Sequence, residues 1–383
     1  MLKKDFLLFI YRSAYMQRWN DHLRPIDLYE LDKQAHKMII AYTLAKIEEN
    51  NGADIDWSQI IEKGIFEFLQ RIALTDMKPS LFYKIKQDKE KYIELNNFIL
   101  EKISSYISEI DGGQFLLRFK GYIYDDVTNL QKFDINKKIL KAAHFLSTKW
   151  EFQIISTYNH RGSQIQEISS DLIKREQSFK QLFSMKELAF SINLRNFLNL
   201  CAELRYQIRW NHLYRVPKTS VLGHMLIVAI ISYFFSLEIG ADNGRIFNNF
   251  FTGLFHDLPE VLTRDIISPV KTSVTGLDEF IKKFEQEEMG NIYDNIPIFL
   301  ANDLKQFTGD EFFNKIINKS QRDGDLVKVA DKLAALIEAY LSLNNGISSN
   351  EMRQAVKDIV STYQNKIISG INLSEIFCCF YST

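Results

Sequence analysis

Gly253-Leu254-Phe255-His256-Asp257-Leu258-Pro259-Glu260-Val261-Leu262-Thr263-Arg264-Asp265 is the stretch on which the reading of this chain turns. His256 and Asp257 set an imidazole beside a carboxylate, Glu260 follows one helical turn later, and Asp265 adds a third acid. Upstream, His224 lies in the long apolar run 221–239, and downstream Asp331 sits in Lys328-Val329-Ala330-Asp331-Lys332. Two imidazoles and two carboxylates, His224, His256, Asp257 and Asp331, make a mixed nitrogen and oxygen set suited to one divalent transition metal: Mn, Co, Fe, Ni or Zn. Four protein ligands leave room for water, whose pKa such a metal lowers from about 15.7 toward about 7. Glu260, four residues after His256, shares its helix face and is placed to orient or deprotonate that water.

The surroundings of these residues have helical spacing. Apolar side chains return through Leu226, Ile230, Tyr233, Phe234 and Leu237, and again through Leu326, Val329, Leu333, Leu336 and Ile337. No convincing run of alternating strand residues occurs. Asp303 and Asp325 suit the N-terminal turns of helices, and Pro269 and Pro297 suit helix boundaries. The expected fold class is all-α.

The chain also repeats itself. Arg18-Trp19-Asn20 recurs as Arg209-Trp210-Asn211, His36 and its apolar helix as His224, and Gly64-Ile65-Phe66 as Gly253-Leu254-Phe255. Asp76 recurs as Asp265, and Leu140-Lys141-Ala142-Ala143 as Val327-Lys328-Val329-Ala330. Five matches in one order, at offsets of 187 to 191 residues, point to a duplicated domain. Residues 1–156 and 185–383 are then two pseudo-symmetric helical bundles, with 157–184 as the connection. The matching register sets His36 opposite His224, Glu67 opposite His256, Phe68 opposite Asp257, Arg71 opposite Glu260 and His144 opposite Asp331. A phenyl ring cannot ligate, and a cation in the place of Glu260 opposes both metal and water activation. The first bundle is therefore read as lacking the metal ligands, with His36 and His144 as structural residues.

Composition narrows the function. With 383 residues, 46% of them apolar and 25% charged, the chain is packed and globular and exceeds one ordinary domain. Lys plus Arg number 47 against 48 for Asp plus Glu, which removes any bulk pull toward nucleic acid or an anionic membrane. Three cysteines, Cys201 and the neighbours Cys378 and Cys379, exclude a disulfide framework and suit a reducing cytoplasm. The stretch 1–10 carries two lysines and a short apolar run, followed at once by Arg12 with no cleavage site, and reads as a first helix, with an uncleaved amphipathic anchor as the alternative. The run 221–239 approaches the roughly 20 residues that span a bilayer, but His224, Ser232, Ser236 and Glu238 interrupt it, so it reads as a buried core helix.

The ordered set His224, His256-Asp257, Asp331 in a helical setting resembles the HD-domain metal-dependent phosphohydrolases. More narrowly, the run from Gly253 through Asp265 to Pro269-Val270-Lys271 is similar to the bacterial HD-domain 5'-deoxynucleotidases. The resemblance covers about residues 204–343. It implies that His224, His256, Asp257 and Asp331 hold the metal, that Glu260 handles water, and that Asp265 is a second catalytic acid near the scissile phosphate. It implies further that Arg209, whose fork matches phosphate oxygens, binds the phosphate, that Trp210 lies against the sugar, and that Lys271 belongs to the same pocket. The substrate class so implied is a small nucleotide, a (deoxy)nucleoside 5'-monophosphate. Another phosphoester or pyrophosphate, such as a nucleoside triphosphate or an alarmone, is the alternative, as is a nucleotide-sensing module without turnover. Because relatives of this type are symmetric dimers, the first bundle is expected to stand in for a second subunit as an intramolecular pseudo-dimer, with further homo-oligomerisation left open. The sequence departs from the family where an acid usually precedes the first histidine: here Gly223 precedes His224, and Arg264 replaces a small residue beside Asp265.

Overall fold

Two helices organise the molecule, Glu30–Asn50 and Val221–Glu238, and in each a run of consecutive residues, 30–45 and 221–236, is wholly buried. A helix buried on every side is a core helix. For 221–236 this follows from composition, since it is almost entirely apolar. The run 30–45 instead buries Glu30, Asp32, Lys33, Gln34, His36 and Lys37, groups that need partners to leave water.

The computed structural model describes residues 2–381 apart from 129–132, 161, 267–273 and 348. The first half runs through α1 (Lys4–Tyr11), α2 (Glu30–Asn50), α3 (Trp57–Leu74), α4 (Pro79–Gln87), α5 (Lys89–Ile107), α6 (Gln114–Thr128) and α7 (Ile135–Tyr158). Then come α8 (Ser163–Gln177), α9 (Phe183–Phe190) and α10 (Ile192–Glu203), and Ser184 ties α9 back to α2 by donating its N–H and Oγ–H to Glu48 at 2.7 and 2.6 Å. The second half holds α11 (Val221–Glu238), α12 (Asn243–Phe255), α13 (Glu260–Thr263), α14 (Leu277–Tyr293), α15 (Ile298–Thr308), α16 (Gly324–Asn344), α17 (Asn350–Tyr363) and α18 (Ser374–Phe377). The fold class is all-α. The described residues also contain three two-stranded antiparallel ribbons: β1 (Gln17–Arg18) with β2 (Leu28–Tyr29), β3 (Lys315–Ile317) with β4 (Ser320–Arg322), and β5 (Ile367–Ile368) with β6 (Ile371–Asn372). Strands of two or three residues are too short to print an alternating pattern in sequence.

Helix boundaries follow local chemistry. Asp56, Asp88, Asp134, Ser191, Ser220, Asp242 and Ser349 each accept a backbone N–H at the start of a helix. Pro297 caps α15 and Asp325 lies in the first turn of α16, as expected, whereas Pro269 falls outside the described residues. Asp303 is not at a helix start: it sits inside α15 and accepts the Tyr42 hydroxyl at 2.8 Å and the Lys46 ammonium at 3.0 Å. The α11 helix is long and apolar enough to cross a membrane, but 89% of it is buried inside the protein, where it carries His224.

Several contacts in the first half recur 191 residues later. Glu30 N–H bonds the Met16 carbonyl at 2.9 Å, and Val221 N–H bonds the Gln207 carbonyl at 2.8 Å, so α2 and α11 begin in the same way. Gln17 pairs with Tyr29 in β1 and β2, and Ile208 pairs with Ser220 in an isolated bridge. Trp19 and Trp210 both take positive φ, 55° and 56°, and each donates its indole N–H at 2.9 Å to a buried glutamate, Glu151 on α7 and Glu338 on α16. Arg18 and Arg209 reach the same two glutamates at 2.8 and 3.3 Å.

The halves share one apolar core. Tyr42 of α2 crosses into the second half, with its ring 4.7 Å from Phe251 and 5.2 Å from Phe255. Tyr233 of α11 crosses the other way, its hydroxyl donating to Glu62 at 2.7 Å and its ring 6.2 Å from Phe115.

Candidate metal centre

Three elements bring the ligand candidates together. Gly253 on α12 faces α11 so closely that a Cβ there would stand 2.8 Å from the Ala229 Cα, which makes glycine necessary at this crossing. The crossing sets the His256 ring, just past the end of α12, 5.5 Å from the His224 ring on α11. Asp331 comes from α16, about two turns after its start.

The nitrogen and oxygen atoms converge. His256 Nδ1 donates to the Gly253 carbonyl at 2.9 Å, an acceptor that fixes the tautomer and leaves Nε2 as the free ligand atom. That Nε2 is buried with no hydrogen bond and lies 3.2 Å from Asp257 Oδ2. His224 Nε2 is 3.7 Å from the same oxygen and 3.1 Å from Asp331 Oδ1. Ligand atoms of His224, His256 and Asp257 all lie within 4.8 Å of one another. Asp331 stands at the margin of this trio, touching it through His224, while its other oxygen pairs with Lys332 Nζ at 3.0 Å. A buried imidazole nitrogen without a partner, facing carboxylates, is what a divalent cation completes, so the residues fit one such metal.

The carboxylates make this site favour positive charge, a proton on His256 or a metal that displaces it. Burial opposes charge on His256, yet Asp257 and Asp331 outweigh it and raise its pKa to about 9. Burial likewise opposes the Asp257 carboxylate, but His256, His224 and Arg209 hold its pKa far below the usual carboxylate range. Asp331 is held low against burial by Lys332, His224 and His256.

The remaining candidates fall around this group. Glu260 opens α13, its backbone N–H bonded to the Asp257 carbonyl at 3.0 Å. Arg209 lies 3.5 Å from Asp257 Oδ2 and 3.3 Å from Glu338 Oε2. Burial works against its charge, but Glu338, Asp265, Asp257 and Asp331 together hold it firmly protonated. Asp265, just after Arg264 at φ 66°, is near enough to favour the charge on Arg209. Trp210 is anchored through its indole to Glu338 and is only partly exposed. Lys271 lies outside the described residues.

Sequence reasoning missed Glu338 and Glu311. Glu338 is fully buried, accepts the Thr219 hydroxyl at 2.8 Å as well as the Trp210 indole, and lies 3.5 Å from His224 Nδ1. It is the carboxylate behind a candidate ligand histidine, in the arrangement that orients ligating histidines. Its spacing of two helical turns after Asp331, matched by Glu151 after His144, was the available signal. Glu311 follows α15 on a loop and is raised by burial near His256 and Asp257, while the adjacent Phe312 ring lies 6.0 Å from that of His256. No sequence pattern marks it.

In the first half the structure corrects the register. His36 does not take the place of His224: it packs edge-on to Trp150 at 5.7 Å, and burial pushes its pKa down. The shared start of α2 and α11 puts Lys33 there instead. Lys33 Nζ lies 2.8 Å from His144 Nδ1, which is 2.7 Å from Glu67 Oε1, and Lys37 Nζ lies 3.2 Å from Glu67 Oε2. Beside them Glu30 pairs with Arg18 at 2.7 Å and Arg71 at 3.4 Å. Ammonium groups thus occupy the region that corresponds to the metal set.

Residues 201–372 match the HD domain family. Over 155 residues the chain is 26% identical to a 4'-phosphooxetanocin A phosphatase of Priestia megaterium, covering 39% of this chain and 75% of that one. Over 164 residues it is 27% identical to a 5'-deoxynucleotidase of Photobacterium profundum, covering 41% and 79%. An HD-domain phosphohydrolase from Listeria innocua superposes with a TM-score of 0.39 at 19% identity, covering 48% of this chain and 83% of that one. His224, His256-Asp257 and Asp331 are gathered inside the segment that matches the HD domain family.

Proposed function

We propose that this protein is a metal-dependent phosphohydrolase that removes the 5'-phosphate from (deoxy)nucleoside monophosphates. The observation that carries the reading is the buried convergence of His224, His256 and Asp257 within 4.8 Å, with Arg209 alongside at 3.5 Å from Asp257. The similarity to a 5'-deoxynucleotidase and to a 4'-phosphooxetanocin A phosphatase supports the substrate class. His224, His256, Asp257 and Asp331 would hold the metal, which supplies Lewis acidity for phosphoryl charge and for a water nucleophile. Arg209, kept cationic and aimed by Glu338, binds phosphoryl oxygens and offsets the charge that grows on them. Glu260 accepts a proton from the attacking water, and Asp265 delivers one to the leaving 5'-oxygen. Trp210, fixed by Glu338, forms the wall against the sugar. The test is phosphate release from a panel of deoxy- and ribonucleoside mono- and triphosphates with each of Mn, Co, Ni and Zn. Monophosphate turnover that stops on chelation and returns with metal is expected; a metal-loaded protein inert toward the whole panel would sink the reading.

We infer also that the two halves are copies of one domain and that the first stands in for a partner subunit. The recurring Trp–Glu contacts and the reciprocal Tyr42 and Tyr233 crossings support this. Residues 185–383 expressed alone would expose the α11 face that α2 covers, and a large exposed apolar face drives association. That fragment is expected to aggregate and to release no phosphate; a soluble, fully active monomer would refute the pseudo-dimer.

A further inference from the structure

The first half reaches the metal centre through the start of α11. Ser220 caps that helix, its Oγ accepting the Gly223 N–H at 2.9 Å, and the same Oγ donates to Asp32 Oδ1 on α2 at 2.6 Å. Both residues are buried, Asp32 at 5% exposed and Ser220 at 4%. Gly223 makes the contact possible: a Cβ at that position would lie 2.9 Å from Asp32 Oδ1 and 2.9 Å from Leu31 Cδ2. The chain thus lacks a side chain just before His224 and brings a carboxylate from the other half to the same spot.

The Arg205 guanidinium, near enough to favour the charge on Asp32, pairs with Glu151 at 3.4 Å and stacks over the Trp150 ring at 4.2 Å. Arg205 and Glu151 are buried, so Asp32 sits among buried charged groups of the first half and the connection, with its hydrogen bond going to Ser220. One turn beyond the cap, His224 N–H bonds the Ser220 carbonyl at 3.0 Å. The position of Ser220 therefore sets the rotation of the first turn of α11, and with it the direction in which His224 Nε2 points.

We propose that Asp32 is a positioning residue for the metal centre: by holding the Ser220 cap from the first half, it fixes the aim of His224. The proposal rests on the reading of His224, His256, Asp257 and Asp331 as metal ligands.

The experiment titrates the full-length, metal-stripped protein with Mn(II) and Zn(II) calorimetrically and records metal-free melting temperatures in parallel. Loss of an outer partner of a metal ligand costs about 10- to 100-fold in metal affinity. Asp32→Ala is expected to bind each metal at least about tenfold more weakly. Asp32→Asn keeps an acceptor oxygen for the Ser220 hydroxyl and is expected to stay within about threefold of wild type. Ser220→Ala removes the contact from the other side and should lose affinity as Asp32→Ala does, with no further loss in the double variant. Ile99→Ala, a cavity in α5 away from α11, reports what general destabilisation does. Wild-type affinity in Asp32→Ala or Ser220→Ala would overturn the proposal, as would an equal loss in Ile99→Ala. Wild-type protein that binds neither metal would overturn the ligand assignment, and this proposal with it.

Discussion

Asp257→Ala is expected to release no phosphate above background and to bind divalent metal more than about 100-fold more weakly than wild type. Removal of outer-shell partners alone reaches that figure, and Asp257 is the carboxylate common to the whole site. Its Oδ2 lies 3.2 Å from His256 Nε2, 3.7 Å from His224 Nε2 and 3.5 Å from Arg209 Nη1. Without it two imidazoles and a guanidinium share one buried region with one carboxylate fewer to offset them. The substitution therefore costs both the metal and the phosphate clamp. Phosphate release and metal titration on the same preparation check it, and a variant that keeps either property at the wild-type level removes Asp257 from the site.

Glu67→Ala is expected to have the largest effect on stability while leaving metal binding in the second half intact. Lys33 and Lys37 are fully buried, and Glu67 is the carboxylate next to Lys37 and His144. Removing one partner of a buried ion pair leaves an uncompensated charge and costs about 3–5 kcal/mol. Glu67 keeps 24% of its side chain exposed, which places the expected loss at the lower end of that range. The cluster also carries a pH signature. Burial lowers the Lys33 pKa from 10.5 to about 7, even though Glu67 and Glu30 raise it. The unfolded chain then binds more protons than the folded one between pH 7 and 10.5, so the penalty is full below pH 7 and is relieved as pH rises through that window. His144, lowered to about 4 by burial and Lys33 against the pull of Glu67, adds a second rise between pH 4 and 6.5. Lys33→Met should flatten the upper rise. Denaturant midpoints at pH 6, 8 and 9.5 measure this, and an unchanged slope in Lys33→Met would refute the assignment.

The candidate ligand cluster was legible because metal chemistry demands particular residue types in a particular order, and the structure brings His224, His256 and Asp257 together. No apolar core explains His256-Asp257 followed by Glu260 and, far downstream, Ala330-Asp331. The recurrence that suggests a repeat stands out in Arg-Trp-Asn, since tryptophan is rare and its return is informative. The register within the repeat was not legible. Matching His36 to His224 set like against like, but the chain path sets Lys33 there, because the spacing between equivalent points shifts from 191 residues at α2 to 189 at Gly64 and 187 at His144 as loops differ in length. Glu338 was hidden for another reason: a glutamate in a helix reads as a solvated residue until Trp210, Thr219 and Arg209 are seen to converge on it. Asp32 was beyond sequence altogether, since its partner Ser220 lies in the other half.

The mutual burial of α2 and α11 has a consequence for motion. Neither helix presents a face to solvent over its first sixteen residues, and each is covered in part by the other half. No local fraying can expose their amides, because uncovering one helix requires the two halves to part. Hydrogen exchange at these amides must then wait for the opening of the whole molecule, while amides of the peripheral α8, much of whose surface faces solvent, exchange through small fluctuations. The slowest-exchanging amides of the chain should thus come from two segments far apart in sequence and disappear together, marking both halves as one cooperative unit.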